Sequence, residues 1–144
     1  MDIIRVPVTQ VPQFWEVIKF ASVHSDNINE DVLQGYCNTL LVKLLTGKLQ
    51  AVIKIDDARN VEAIIIMGFE VSNLSGAKSL VFYNFYSWKS NSLAEWKNAF
   101  MSLLVFAKAE NCKKIIAHTY NPRLWQMAES AGFKETSRQY VLDV

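Results

Sequence analysis

The order of elements in residues 79–120 constrains the fold more than any other feature of the chain. Residues 79–87, SLVFYNFYS, are apolar or aromatic on both faces of a strand, which predicts a buried central strand. Residues 113–120, KKIIAHTY, predict a second buried strand. Between them lies a helix whose apolar face comprises Leu93, Trp96, Phe100, Leu103, Leu104 and Ala107. Because strands joined by a crossover helix run parallel, this order predicts a parallel pair inside the sheet.

The rest of the chain supplies strands and helices around that pair. A short first strand precedes two amphipathic helices, which the polar turn SVHSDN separates. Two β-branched runs joined by DDARN predict an antiparallel hairpin. A short helix ending at Gly132 and a strand over residues 137–144 complete the pattern. The order predicts one α/β domain over residues 1–144, with helices on both faces of a mixed, mostly antiparallel sheet.

Composition and charge exclude several classes of function. The formal net charge is +1 and no block of like charge is present, which disfavours nucleic-acid binding. No apolar run approaches the length of a membrane span, and no signal peptide is visible, so we expect a soluble protein with no membrane partner. Cys37 and Cys112 lack CxxC spacing and a nearby His cluster. We therefore expect a reduced, intracellular protein without a metal site, in which both thiols are small buried hydrophobes.

Two stretches carry a resemblance to a known family. FAKAENCKKIIAHTYNP ends a helix and runs through a strand to Asn121, and NPRLWQMAESAGF is a helix that ends at Gly132 and Phe133. Together with the order of elements, they resemble the GCN5-related N-acetyltransferases (GNAT). The resemblance implies the GNAT fold, with a V-shaped opening between the two parallel strands. In active members, acetyl-CoA lies in that opening.

The resemblance fails at the turn that holds the cofactor. The family's turn has the pattern Arg/Gln-x-x-Gly-x-Gly/Ala, and the matched positions here are Asn91, Ala94 and Trp96. Glycine lets backbone N–H groups approach a pyrophosphate, and neither glycine is present. Ser92 and Glu95 instead fit a capping box, which satisfies the same N–H groups and adds a carboxylate where phosphates would lie. The sequence therefore predicts a self-capped helix that binds no cofactor.

Acid–base groups are equally sparse. The resemblance implies a Tyr that protonates the CoA thiolate, and the matched residue is Ala128. Tyr120, one residue before Asn121, could substitute as the donor, but it is better explained as an aromatic at a strand end that packs on a neighbour. Glu62 and Glu70 flank a strand near the family's usual base, but a carboxylate at a strand edge is generally only solvated. His118, next to Ile116 in a buried-type strand, is predicted to be a core or cleft histidine. We therefore predict no catalytic residue.

Aromatic residues dominate the central strand and its exit. Regular alternation predicts Tyr83 and Phe85 on one face of that strand, with Phe82 and Tyr86 on the other. Core packing explains these rings. Trp88 differs because it lies in a polar turn, where an exposed Trp is typical of a protein contact surface.

Two functions follow from these observations. The first is a catalytically degenerate GNAT-like domain that binds no cofactor and serves as a structural or protein-interaction component. A general likeness to GNAT-like virion proteins of bacteriophages makes a phage particle one possible setting. The alternative is a divergent acetyl-CoA-dependent N-acetyltransferase acting on a small amine or protein amine. Its cofactor contacts would be Tyr86, Ser87, Asn91, Ser92 and Asn121.

Overall fold

The computed structural model describes residues 2–90, 92–119 and 121–144. These residues form five strands and four α-helices, with a 3-10 turn at Val8–Gln10 between the first strand and the first helix. In chain order they are β1 (Asp2–Arg5), α1 (Val11–Asp26), α2 (Glu30–Leu45), β2 (Leu49–Ile55), β3 (Val61–Val71), β4 (Lys78–Ser87), α3 (Leu93–Ala109), β5 (Lys114–Ala117) and α4 (Pro122–Ser130).

The strands form one mixed sheet in the order β1-β2-β3-β4-β5. The first three pairings are antiparallel, which confirms the predicted hairpin. β4 and β5 are parallel and paired from Ser79 opposite Lys114 to Phe82 opposite Ala117. The parallel pair that the crossover predicts is therefore present, in an otherwise antiparallel sheet.

Helices cover both faces of the sheet, as predicted. On one face, Ile18 of α1 and Leu44 of α2 pack on Ile53 and Ile64 of the central strands. On the other, Leu103 and Ala107 of α3 join Met67, Leu80 and Phe82. The second face also receives Met127 of α4 and Phe133, which follows α4. The α3 face is the one on which the crossover lies.

Two predicted local structures differ from the observed ones. The polar stretch SVHSDN is helical as far as Asp26, and α1 ends only where Asn27 takes a left-handed conformation (φ 50°). Asn tolerates that conformation better than most residues, so the helix ends there and not at the first polar residue. Residues 137–144 alternate like a strand, yet they pair with no strand in the described chain and are exposed. A strand pattern requires a partner edge, which the sequence pattern alone does not supply.

None of the helices in the described ranges combines the length and apolarity of a membrane span.

Candidate functional site

A β-bulge opens the sheet between β4 and β5. Ile66 is opposite Asn84 and Met67 is opposite Phe82, so Tyr83 is an extra residue in β4. A bulge bends its strand, and the parallel pairing with β5 stops at Phe82, directly before it. The exits of the two parallel strands therefore diverge into a cleft.

The bulge also changes which aromatic rings of β4 share a face of the sheet. Phe82 and Phe85 both pack on the α3 side, whereas Tyr86 packs on the side of α1 and α2. Regular alternation placed Phe82 and Phe85 on opposite faces, which was wrong because the extra residue shifts the alternation by one. Tyr83 is partly exposed, and its hydroxyl donates to Glu70 Oε1 at 2.8 Å. Burial, and then this bond, raises the pKa of Tyr83 to about 12.

The cleft encloses a cavity of about 770 Å³. Its inner wall is apolar and aromatic, including Phe82, Phe85 and Trp96. Polar side chains lie around it on both sides, among them Asp26 and His118. A cavity of this volume is in the range of small-molecule sites, and its apolar wall with a few polar groups is the usual composition of one.

The turn from β4 to α3 is closed by hydrogen bonds. Ser92 is the N-cap of α3: its Oγ accepts from Glu95 N at 3.2 Å, and Glu95 Oε2 accepts from Ser92 N at 3.1 Å. The predicted capping box is confirmed. It satisfies two of the N–H groups that a bound anion would use at a helix N-terminus, and it brings a carboxylate to the same place. Asn91, the matched position of the family's Arg or Gln, lies outside the described residues.

Glu62 fastens the same turn to the sheet. Its carbonyl oxygen accepts from Trp88 N at 2.8 Å and from Ser87 Oγ at 3.3 Å. Its carboxylate lies 3.1 Å from Lys89 Nζ. This contact raises the pKa of the Lys89 ammonium. Three bonds from one residue thus hold residues 87–89 against β3.

Glu62 also forms a buried ion pair. Lys54 Nζ lies 2.8 Å from Glu62 Oε2, and the two residues are 3% and 5% exposed. The hydrogen bond from Lys54 lowers the pKa of the Glu62 carboxyl, against the opposing effect of burial. The expectation that Glu62 is merely solvated was therefore wrong. Glu70 is exposed, but it is not merely solvated either, because it accepts from the Tyr83 hydroxyl.

Trp96 lies beside this ion pair, on the floor of the cleft. It is 5% exposed, its ring meets Phe85 edge-on at 4.9 Å, and Lys54 Nζ is 5.3 Å from the ring centroid. The residue that replaces the family's second glycine is thus an anchor of the core. A large side chain therefore stands at the position where the family has glycine.

The rim of the cleft carries an aromatic cluster that sequence reasoning missed as a unit. Phe20 and His24 of α1 stack at 3.9 Å, and Tyr86 and Trp88 meet edge-on at 4.9 Å. Phe20 and Trp88 are 6.0 Å apart and remain 43% and 42% exposed. The spacing i, i+4 of Phe20 and His24 was visible in the sequence, but it signals a cluster only once α1 is known to extend through His24. Trp88 is exposed, as predicted.

Below that rim, a polar network joins α1, α2 and β4. The Tyr36 hydroxyl donates to Asp26 Oδ2 at 2.8 Å. The Asn84 amide contacts the same hydroxyl at 2.9 Å and the Asp26 carboxylate at 3.0 Å. Burial, and then the bond with Asp26, raises the pKa of Tyr36 above its ordinary value. The network fixes the end of α1 against the bulged strand, and nothing in the sequence spacing signalled it.

The opposite wall of the cleft comes from β5 and α4. His118 lines the cavity but is exposed, so it is a cleft histidine and not a core one. Asn121 also lines it and is the N-cap of α4, where its Oδ1 accepts from Arg123 N at 3.0 Å. Ala128, the counterpart of the family's Tyr, faces the cavity with a methyl group that donates no proton. Tyr120 lies outside the described residues.

The structure brings part of the alternative cofactor set together. Tyr86, Ser87 and Asn121 line one cavity from its two sides. Ser92 is engaged in the capping box, and Asn91 is not described. No group of three or more His, Cys, Asp or Glu side chains that could hold a metal ion occurs in the part of the chain that the structure describes.

Comparison with solved structures decides the fold. A protein described as a probable acetyltransferase superposes with a TM-score of 0.77 at 13% identity, covering 100% of this chain and 98% of its own. A predicted acetyltransferase from Clostridium acetobutylicum, solved with acetyl-CoA, gives 0.71 at 16% identity over 99% and 95% of the two chains. The chain has the GNAT fold. A ribosomal-protein-alanine N-acetyltransferase from Brucella melitensis gives 0.68 at 13% identity over the full length of both chains.

At these identities the likeness establishes the GNAT fold and no activity. No family model and no curated protein matches the sequence. Gly132 and Phe133, which carried the resemblance, have clear structural roles. Gly132 has φ 98°, which few other residues adopt, and Phe133 then packs on Phe100 with ring centroids 6.0 Å apart.

Proposed function

We propose that this chain is a GNAT-fold domain that has lost acetyl-CoA chemistry and acts as a structural or protein-interaction component. One observation carries the proposal: the capping box of Ser92 and Glu95 occupies the helix N-terminus that would hold a pyrophosphate. Bound phosphates would have to break that box and lie beside the Glu95 carboxylate. Like charges repel most strongly where water is partly excluded, so the arrangement opposes nucleotide binding.

Three further observations support the proposal. Lys89, a cation in the turn, is paired with Glu62. Trp96 fills the position of a family glycine. Ala128, at the position matched to the family's proton-donating Tyr, has a methyl group that donates no proton. The exposed rings of Phe20 and Trp88 give the domain a surface of the kind that anchors protein contacts, since aromatic residues are enriched there. The likeness to phage virion proteins has no support from the comparisons and stays a hypothesis.

Isothermal titration with acetyl-CoA and with CoA tests the proposal. We expect no binding to the wild-type chain, with circular dichroism recorded on the same sample to establish that it is folded. A Ser92→Gly, Glu95→Ala variant is the matched comparison, because it frees the helix N–H groups and removes the carboxylate. Binding of either compound by the wild type in the low micromolar range would refute the loss of cofactor chemistry.

The open cleft favours a second candidate, a divergent N-acetyltransferase acting on a small amine or protein amine. A cavity of about 770 Å³ persists between β4 and β5, with Tyr86, Ser87 and Asn121 on its walls. For this candidate, acetyl-CoA binds through strand backbone groups and Asn121, without using the capped N-terminus of α3. The Clostridium acetobutylicum protein of the same fold was solved with acetyl-CoA.

Thiol release from acetyl-CoA in a panel of amines tests this candidate. The candidate requires turnover with at least one amine and a lower rate in Asn121→Ala. Because Asn121 also caps α4, Asn121→Asp is the control that keeps the cap acceptor. No turnover across the panel, with the fold intact, would eliminate it.

A further inference from the structure

The half-buried carboxylate of Asp26 lies in the wall of the cavity, at the end of α1. Both of its hydrogen-bond partners are neutral: the Tyr36 hydroxyl donates to Oδ2 at 2.8 Å, and the Asn84 amide contacts Oδ1 at 3.0 Å. Among the described residues, no Lys, Arg or His side chain forms an ion pair with Asp26. The described chain therefore holds this carboxylate in a fixed place without balancing its charge.

Aromatic rings stand beside the carboxylate. Asn84, which holds Asp26, and Tyr86 are two residues apart on β4, a rise of about 7 Å, and both face α1. The ring of His24, two residues before Asp26, is 6.2 Å from that of Tyr86. Trp88 meets Tyr86 edge-on and stays 42% exposed. All three rings line the same cavity as Asp26. The carboxylate and the rings thus belong to one site.

We propose that this site binds a methylated ammonium group, that of a quaternary ammonium compound or of a trimethylated lysine side chain. The faces of aromatic rings attract cations, and recognition of quaternary ammonium groups is a common use of this attraction. A primary ammonium has three N–H donors to satisfy, whereas the Asp26 oxygens already accept from Tyr36 and contact Asn84. A quaternary nitrogen needs only the charge and the rings. It also cannot be acetylated, so this ligand differs from an acetyltransferase substrate.

Two basic residues also line the cavity, and neither neutralises Asp26. Lys89 is paired with Glu62 at 3.1 Å, and Arg123 lies in the first turn of α4, on the opposite wall. The Asp26 carboxylate is therefore available to an incoming cation. The inference deepens the interaction role proposed above, and it rests on that role where the cation belongs to a protein.

Isothermal titration of the full chain with choline tests the site. We expect binding with a Kd below about 1 mM. Ethanolamine, the primary ammonium counterpart, should bind more weakly. Dimethylbutanol, which has a carbon atom in place of the quaternary nitrogen of choline, should not bind, because it has the shape without the charge. Weaker or no binding of choline would overturn the proposal, and so would equal binding of the uncharged compound.

Two substitutions locate the site. Trp88→Ala removes an exposed ring, and Asp26→Asn removes the charge but keeps an oxygen that accepts from Tyr36. We expect each to weaken choline binding by about 3- to 30-fold, the range of a cation–π contact. Tyr140→Ala and Asp143→Asn change an exposed ring and an exposed acid outside the cavity, so they are the matched controls and should bind like the wild type.

Circular dichroism establishes that each variant is folded. If Asp26→Asn does not fold, Trp88→Ala decides alone. An unchanged Kd in Trp88→Ala would count against the site.

A glycine-flanked peptide with one trimethylated lysine, compared with its unmethylated twin, separates the sources of the cation. Tighter binding of the methylated peptide than of choline supports the site and indicates a protein partner. Affinity no better than that of choline supports the site and indicates a small cation. Tighter binding of the unmethylated peptide than of the methylated one overturns the assignment. Loss of cofactor chemistry is tested separately by the acetyl-CoA titration, so the two proposals can fail independently.

Discussion

Lys54 and Glu62 form an ion pair of 2.8 Å that is almost fully enclosed between β2, β3 and Trp96. A β-bulge makes it possible. Lys54 is opposite Ala63 and Ile55 is opposite Val61, so Glu62 is an extra residue in β3. Val61 consequently packs on the side of α1 and α2, and Glu62 turns toward Lys54. The same Glu62 holds residues 87–89, in the turn before α3, against β3.

Glu62→Gln is expected to lower the free energy of unfolding by about 3–5 kcal/mol, since removing one partner leaves the buried Lys54 charge uncompensated. Urea denaturation monitored by circular dichroism measures it. Glu70→Gln, on the same strand but exposed, is the matched control and should change stability by less than about 0.5 kcal/mol. Equal effects of the two substitutions would contradict the role assigned to the ion pair.

The stability contributed by Glu62 should depend on pH in one direction. Its pKa is lowered in the folded chain, so the contribution is present above the ordinary Glu pKa of about 4.3 and is lost as pH falls through the folded value. We expect the wild type to lose stability over that acidic range more steeply than Glu62→Gln. Denaturant midpoints measured from neutral to acidic pH check it, and parallel curves for the two proteins would be the contrary result.

Ser92→Ala is expected to cost about 1 kcal/mol by removing the oxygen that accepts from Glu95 N. Ser92→Thr retains a cap hydroxyl and should lie close to the wild type. Thermal unfolding of the three proteins gives the comparison. If Ser92→Ala and Ser92→Thr were indistinguishable, the capping box would not close this helix in solution.

Tyr36→Phe is expected to destabilise the chain by about 1–2 kcal/mol, because the Asp26 carboxylate loses a donor in a half-buried place. The raised pKa of Tyr36 means that its contribution is present below the ordinary Tyr pKa of about 10 and is lost as pH rises through the folded value. The stability difference from the wild type should therefore persist at neutral pH and shrink only in strong alkali. Denaturation of both proteins at neutral pH and in strong alkali measures this stability difference.

Gly68→Ala is expected to destabilise the chain by about 1–3 kcal/mol through overpacking. A Cβ at this position would lie 2.8 Å from Leu49 Cδ2 and 3.3 Å from the Lys48 carbonyl oxygen. Gly35 is the control: it lies in α2 with no atom within 4 Å of its Cβ position, so Gly35→Ala should add about 0.5–1 kcal/mol of stability. The test is that the two substitutions change stability in opposite directions, as measured by thermal unfolding.

The order of elements and their packing followed from local pattern. Hydrophobic periodicity located the helices, β-branched runs located the hairpin, and the crossover in residues 79–120 predicted the parallel pair. Ser92 and Glu95 were identified as a capping box because that motif is local, spanning four residues of one helix start. The helices, the hairpin and the capping box depend on contacts between near neighbours in sequence, and the parallel pair follows from the chain order of strand, helix and strand.

The site depended on two bulges that no periodicity predicts. An extra residue at Glu62 creates the Lys54 pair, and an extra residue at Tyr83 opens the cleft and moves Phe85 to the face of Phe82. Each inserts one residue into a regular alternation, and its position is selected by packing against α1, α3 and the neighbouring strands. Residues 137–144 show the same limit, because their strand pattern is plain and yet they pair with no strand in the described chain. Sequence determined which segments are strands and helices; tertiary packing decided which face each polar group reaches, since that depends on neighbours distant along the chain.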